Sequence, residues 1–118
     1  MDNITTYVIL AALVAFLLWR NFGPNKKASA AVVLAKIEAG ARVIDVRTPD
    51  EFRGGGYPKA MNIPLGELSS KFDRLKPLDK PIVLYCASGA RSSQAAGMLK
   101  KAGFTDITNG GGLSAMPK

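Results

Sequence analysis

The chain has 118 residues, 47% of them hydrophobic, and a formal net charge of +7 from sixteen Lys and Arg against nine Asp and Glu. That length holds one modest domain and little more. With one cysteine, Cys86, and no histidine, the composition excludes an intrachain disulfide, a Cys/His zinc site, and Cys–His or Ser–His catalysis.

Residues 3–19 carry no charge, and from Tyr7 to Trp19 the run is apolar on every helical face. This predicts a transmembrane helix over residues 3–22, at the short end of the spanning range, with Trp19 at the interface and Arg20 snorkelling toward headgroups. Ala28-Ser29-Ala30 resembles a signal-peptide cleavage site, but Asp2 precedes the run and Arg20, Lys26 and Lys27 follow it. That layout favours an uncleaved single-pass anchor with the C-terminal domain in the cytoplasm, in a bacterial inner membrane. Residues 23–27, with the helix breakers Gly23-Pro24-Asn25, read as a linker, and residues 28–118 as the domain. The domain's basic residues are scattered, with few aromatics beside them. The charge therefore favours small anionic partners, and no nucleic acid is expected.

Ser29 is placed to cap a helix with Val33, Leu34 and Ile37 on one face and Gly40 as its stop. Val43-Ile44-Asp45-Val46 predicts a buried strand, and Thr48-Pro49-Asp50-Glu51-Phe52 a helix start with Pro at its first position. After the loop Gly54-Gly55-Gly56-Tyr57-Pro58 comes a brief strand over residues 61–63. Leu65, Leu68, Phe72 and Leu75 then recur at helical spacing. Ile82-Val83-Leu84-Tyr85 is the most apolar strand, followed by a loop from Cys86 to Arg91 and a helix over residues 92–101. A last strand is predicted over residues 104–108, before Gly110-Gly111-Gly112. Strands alternating with helices predict an α/β fold with a small open parallel sheet flanked by helices, and Cys86 falls at the carboxyl end of a strand, where such sheets bind ligands.

A loop opened by Cys86 and closed by Arg91 at a helix start directs successive backbone N–H groups at an anion in its centre. Without histidine, the nucleophilicity of Cys86 rests on a thiolate made acidic by such amides and nearby cations. Ala87, Ser88, Gly89 and Ala90 form the cradle, with Gly89 supplying unusual backbone angles and Ala87 and Ala90 keeping the loop uncrowded. Arg91 would orient the oxygens of an anionic donor by paired hydrogen bonds. Asp45 and Arg47 are read as supporting residues, Asp45 through structural hydrogen bonds and Arg47 through pairing with Asp50 or Glu51. Tyr85 is expected to pack in its strand and Ser88 to offer its amide.

Over residues 28–113 the sequence resembles the rhodanese family. The run Val43-Ile44-Asp45-Val46-Arg47-Thr48-Pro49-Asp50-Glu51-Phe52 is similar to the family's first signature, Ala60-Met61-Asn62-Ile63-Pro64-Leu65 to its second, and Cys86-Ala87-Ser88-Gly89-Ala90-Arg91 to its active-site loop. The resemblance implies a sulfurtransferase that takes sulfane sulfur from a donor such as thiosulfate onto Cys86 as a persulfide. Cyanide or a cellular thiol then accepts it, with no cofactor and no metal. In two places the chain departs from the family pattern. It reads Gly55-Gly56-Tyr57-Pro58-Lys59-Ala60 where Gly-His-Ile-Pro-Gly-Ala is usual, and Met116 stands near the place of the usual late tryptophan, with the final helix truncated or absent. Two rivals stay open. A related phosphatase would need five residues between Cys and Arg, whereas here there are four. A non-catalytic or redox-sensing module would use the same acidic thiol without transferring sulfur.

Overall fold

The computed structural model describes residues 3–22 and 26–118, without the side chains of residues 19–22. Helix α1 spans Asn3–Phe22. Among the described residues, however, no helix is long and apolar enough to cross a membrane. The transmembrane span over residues 3–22, the single-pass inner-membrane location and the cytoplasmic orientation are therefore corrected. Asp2, the side chains of Trp19 and Arg20, and the linker residues Gly23, Pro24 and Asn25, which carried parts of that expectation, lie outside the described residues.

The linker was expected to run through Lys27, but Lys27 forms a parallel β-bridge with Asn109, and the Ala28 amide donates to the Asn109 carbonyl at 2.7 Å. Helix α2, Ala30–Glu38, starts at the Ser29 cap, whose side chain accepts from the Val32 amide. Val33 is buried, whereas Leu34 stays exposed. Strand β1, Arg42–Asp45, leads into α3, Pro49–Arg53, which Thr48 and Glu51 close as a capping box. Strand β2, Met61–Asn62, is followed by a stretch of 3-10 helix over Leu65–Leu75, kinked at Lys71. The leucine spacing predicted one helical face there, and it is the tighter helix that puts Leu68 and Leu75 into the core. Strand β3, Ile82–Cys86, then α4, Ala90–Lys101, and β4, Ile107–Gly112, complete the order, and a short turn over Leu113–Ala115 ends it.

All neighbouring strands pair in parallel, in the order β2-β1-β3-β4. The sheet is covered on both faces, which is why β3 is buried throughout. Side-chain alternation splits the core in two. Ile82, Leu84 and Cys86 pack with Ile44, Leu68, Leu99 and Phe104 on the side of α4 and the 3-10 segment, while Val83 and Tyr85 pack with Val33 and Met116 on the side of α2. Met116 is 4% exposed, and the Tyr57 hydroxyl donates to the Pro117 carbonyl at 2.7 Å. Met116 thus belongs to the second core.

The last strand falls later than predicted. Phe104 sits outside it, tilted against Phe72 with ring centroids 5.9 Å apart, and the three glycines, expected to follow the strand, belong to it. Close approach is the reason. A Cβ on Gly110 would meet the Met116 sulfur at 2.6 Å, and one on Gly112 the Ala87 carbonyl at 2.5 Å. The register between β3 and β4 shifts between Leu84 and Tyr85, so that Tyr85 faces Gly111 and Cys86 faces Gly112.

Candidate active site

Strand alternation delivers the Cys86 side chain to the α4 face at the carboxyl end of β3, next to the first turn of that helix. Gly89 caps α4 with φ +102, a left-handed conformation that strains any residue with a Cβ. A Cβ there would also lie 3.4 Å from the Gly111 backbone. The turn aims amides at the sulfur. Cys86 Sγ accepts from the Gly89 N–H at 3.0 Å and from the Ser92 N–H at 3.4 Å, and the Ser92 hydroxyl lies 3.6 Å away. Burial pushes the Cys86 thiol up, but the Ser92 hydroxyl and the amides of Ser92, Gly89 and Ser88 outweigh it, so its pKa is lowered. The helix N-terminus adds favourable field for a thiolate. Ala87, Ser88 and Ala90 are exposed around the sulfur, while Cys86 itself is only 1% exposed.

Arg91 does not present an open fork. Its Nη1 and Nη2 donate to Glu51 Oε1 and Oε2 at 2.7 and 3.0 Å. Glu51 is thus shared. Its Oε1 also accepts from the Thr48 amide at 3.2 Å, which ties the start of α3 to the start of α4. The Arg91 guanidinium first, and the Thr48 N–H second, hold the Glu51 carboxyl down at about 2. The same pairing raises Arg91 further above its ordinary value.

The pairing expected for Arg47 is corrected. Its Nε and Nη2 bind Asp45, with Nη2 at 2.7 Å from Oδ2, and Nη2 also donates to the Gly55 carbonyl at 2.8 Å. Asp50 and Glu51 are engaged elsewhere, with Arg53 and Arg91, and Arg47 is buried with Asp45 on the sheet. Tyr85 does more than pack. Its hydroxyl donates to Asp45 Oδ2 at 2.6 Å and accepts from the Tyr57 amide at 2.8 Å. Burial, then Asp45, pushes the phenol up to about 12. Asp45 and Arg47 therefore support β3 from the face opposite the sulfur, through Tyr85, and their described hydrogen bonds do not reach the loop.

The structure thus brings residues 86–91 together as one loop and leaves Asp45 and Arg47 behind it. Sequence reasoning missed Glu51 as the partner of Arg91, and it missed Ser92 and Asn109, whose side chains bond to each other at 2.7 Å beside the thiol. The spacing of Thr48 and Glu51 was a capping-box signal for the first. Ser92 follows Arg91 directly, and this alone pointed to it. For Asn109 the sequence held no signal.

A parallel sheet whose central strand sets a lone thiol into a short amide-lined loop at a helix N-terminus defines a thiolate-bearing α/β domain. The rhodanese-like domain profile matches residues 29–115, and the chain belongs to the rhodanese-like family. Among similar proteins, the uncharacterized protein YqhL of Bacillus subtilis is 35% identical over 112 residues, 92% of this chain and 87% of that one. The thiosulfate sulfurtransferase PspE of Escherichia coli is 39% identical over 79 residues, 64% of this chain and 75% of that one. The human single-domain sulfurtransferase TSTD1 superposes with a TM-score of 0.65 at 30% identity, over 73% of this chain and 88% of that one.

Proposed function

We propose that the chain is a sulfurtransferase in which Cys86 carries sulfane sulfur as a persulfide, from an anionic donor such as thiosulfate to an external thiol or cyanide. The observation that carries this reading is the convergence of the Gly89 and Ser92 amides on Cys86 Sγ. In loading, the Cys86 thiolate attacks the outer sulfur of thiosulfate. A sulfur–sulfur bond forms to Sγ, the donor's own sulfur–sulfur bond breaks, and sulfite leaves with the electron pair. In discharge, a thiolate or cyanide attacks the outer sulfur and Sγ leaves as thiolate, so neither an oxidant nor a reductant is consumed.

Residues 87–90 form the cradle, and Asp45 and Arg47 hold the strand behind it. Arg91, held by Glu51, contributes positive charge at the rim rather than a free fork. The spacer between Cys86 and Arg91 has four residues, one fewer than a related phosphatase would need, and gives no support to phosphate-ester turnover. Because Cys86 is 1% exposed, loading requires the exposed residues Ala87, Ser88 and Ala90 to admit the donor's outer sulfur. With one cysteine and no histidine, the acceptor must come from outside, so kinetics should be ping-pong. Steady-state assays varying thiosulfate and acceptor test this through parallel double-reciprocal lines; intersecting lines would contradict a free persulfide intermediate.

A further inference from the structure

The Ser92 hydroxyl has one proton and three oxygen acceptors around it, with sulfur as a further neighbour. Asn109 Oδ1 is nearest at 2.7 Å, then the carbonyls of Gly89 at 3.1 Å and Gly111 at 3.4 Å, while Cys86 Sγ at 3.6 Å donates to the hydroxyl oxygen as a thiol and can accept from it only as a thiolate. The amide orientation of Asn109 is not arbitrary, because Oδ1 also accepts from the Gly111 N–H at 2.9 Å, and a flipped side chain would set two donors against each other. Asn109 Oδ1 is therefore an acceptor at all times, and Ser92, Asn109 and Cys86 are all buried. When Sγ is neutral, the short bond to Asn109 takes the Ser92 proton. When Sγ is a thiolate it becomes the stronger acceptor, and the proton has a second place to go.

We infer that Ser92 and Asn109 form a two-position proton switch that sets the ionisation of Cys86. The Ser92 proton rests on Asn109 while Sγ is a thiol or the inner sulfur of a persulfide, and turns to Sγ when Sγ becomes a thiolate. No covalent bond to hydrogen breaks in this swing; only the hydroxyl rotates. Asn109 is a positioning residue that acts through Ser92 and restrains the acidity that the loop amides confer. The part concerning the persulfide rests on the proposed sulfur transfer. There, the switch stabilises Sγ as leaving group at discharge and releases it after loading, when the negative charge has moved to the outer sulfur.

Charged groups near Cys86 are Arg91 on α4 with Glu51 of α3, Asp45 at the end of β1 with Arg47 on the face of the sheet opposite the sulfur, and Lys27, whose methylenes lie over Gly111. The test leaves all of them in place. The rate of alkylation of Cys86 by iodoacetamide is measured against pH on the full chain, where the single cysteine makes the signal unambiguous. Ser92→Ala should raise the midpoint by about one pH unit, tenfold in thiolate at a fixed pH below it, and Asn109→Ala should lower it by a similar amount. A merely structural role would move both the same way. In a Ser92→Ala background, Asn109→Ala should no longer shift the midpoint. Asn109→Asp is isosteric and keeps the Gly111 bond; it should raise the midpoint, and by less once Ser92 is Ala, so it carries the test if Asn109→Ala does not fold. The switch is overturned if Asn109→Ala leaves or raises the midpoint, or if the Asn109 shifts are the same with and without Ser92. Thiosulfate loading followed by mass separates the two claims. Shifts of the expected sign without loading sink the sulfur-transfer reading and keep the switch, whereas loading without those shifts does the reverse.

Discussion

Replacing Tyr85 by Phe removes one oxygen from the centre of the molecule and tests how the strand carrying Cys86 is held. The hydroxyl donates to Asp45 Oδ2 at 2.6 Å and accepts from the Tyr57 amide at 2.8 Å, within a fully buried side chain. A hydrogen bond to a charged group contributes about 1.5–3 kcal/mol, and because Asp45 keeps Arg47 the lower half of that range applies, so Tyr85→Phe should cost about 2 kcal/mol. For a domain of this size that is a fall in Tm of roughly 8–16 °C. The pH dependence has a definite sign. Burial and Asp45 raise the folded pKa from 10.0 to about 12, so the contribution is fully present below pH 10 and is lost as pH rises through about 12. The direction of the shift means that the wild-type advantage over Tyr85→Phe should shrink steadily across that window. Urea denaturation of both proteins at several pH values measures this. A difference below about 0.5 kcal/mol at neutral pH, or one that stays constant between about pH 9 and pH 12, would refute the reasoning.

Other consequences follow from the loop and its tether. Glu51→Gln removes the charge that holds Arg91, so persulfide loading should slow severalfold while Cys86 remains alkylatable; loading at the wild-type rate would separate Arg91 placement from catalysis. Because the Glu51 carboxyl is held down at about 2, the contribution of the Glu51–Arg91 pair to stability should be complete above about pH 4.5 and fade as pH falls toward 2, which acid titration followed by circular dichroism of wild type against Glu51→Gln will show. Gly89→Ala should cost about 1–2 kcal/mol by forcing a Cβ into a left-handed turn. It should also raise the pH midpoint of Cys86 alkylation by pulling the Gly89 amide from the sulfur, and an unchanged midpoint would mean that this amide does not tune the thiol.

Ile82-Val83-Leu84-Tyr85 was legible as the most apolar strand because a strand covered on both faces needs an unbroken apolar run, and Ser29 and Pro49 marked helix starts by local backbone chemistry alone, whereas α4 begins at Ala90, two residues before the expected start at Ser92, with Gly89 as its cap. Gly110-Gly111-Gly112 misled for a physical reason. Glycine usually signals a turn, whereas here it is demanded by tertiary neighbours, the Met116 sulfur and the Ala87 carbonyl, which no local window contains. The ion pairs failed in the same way. Asp50 and Glu51 are the acids that follow Arg47 in sequence, yet burial turned Arg47 to Asp45 and left Glu51 to Arg91, forty residues away. The apolar run of α1 was read by its composition as a span, and the helix that forms does not meet the requirement among the described residues. Asn109 reaches Ser92 only because β4 pairs with β3, a contact seventeen residues apart in the chain.

The most direct measurement is the intact mass of the protein after incubation with thiosulfate and removal of excess donor, before and after cyanide. Wild type should gain one sulfur atom and lose it again to cyanide as thiocyanate, and Cys86→Ser should gain none, because a hydroxyl with no histidine to activate it is too weak a nucleophile. A wild-type mass that stays unchanged with thiosulfate and with other sulfane donors, or a sulfur adduct that persists in Cys86→Ser, would contradict a persulfide on Cys86.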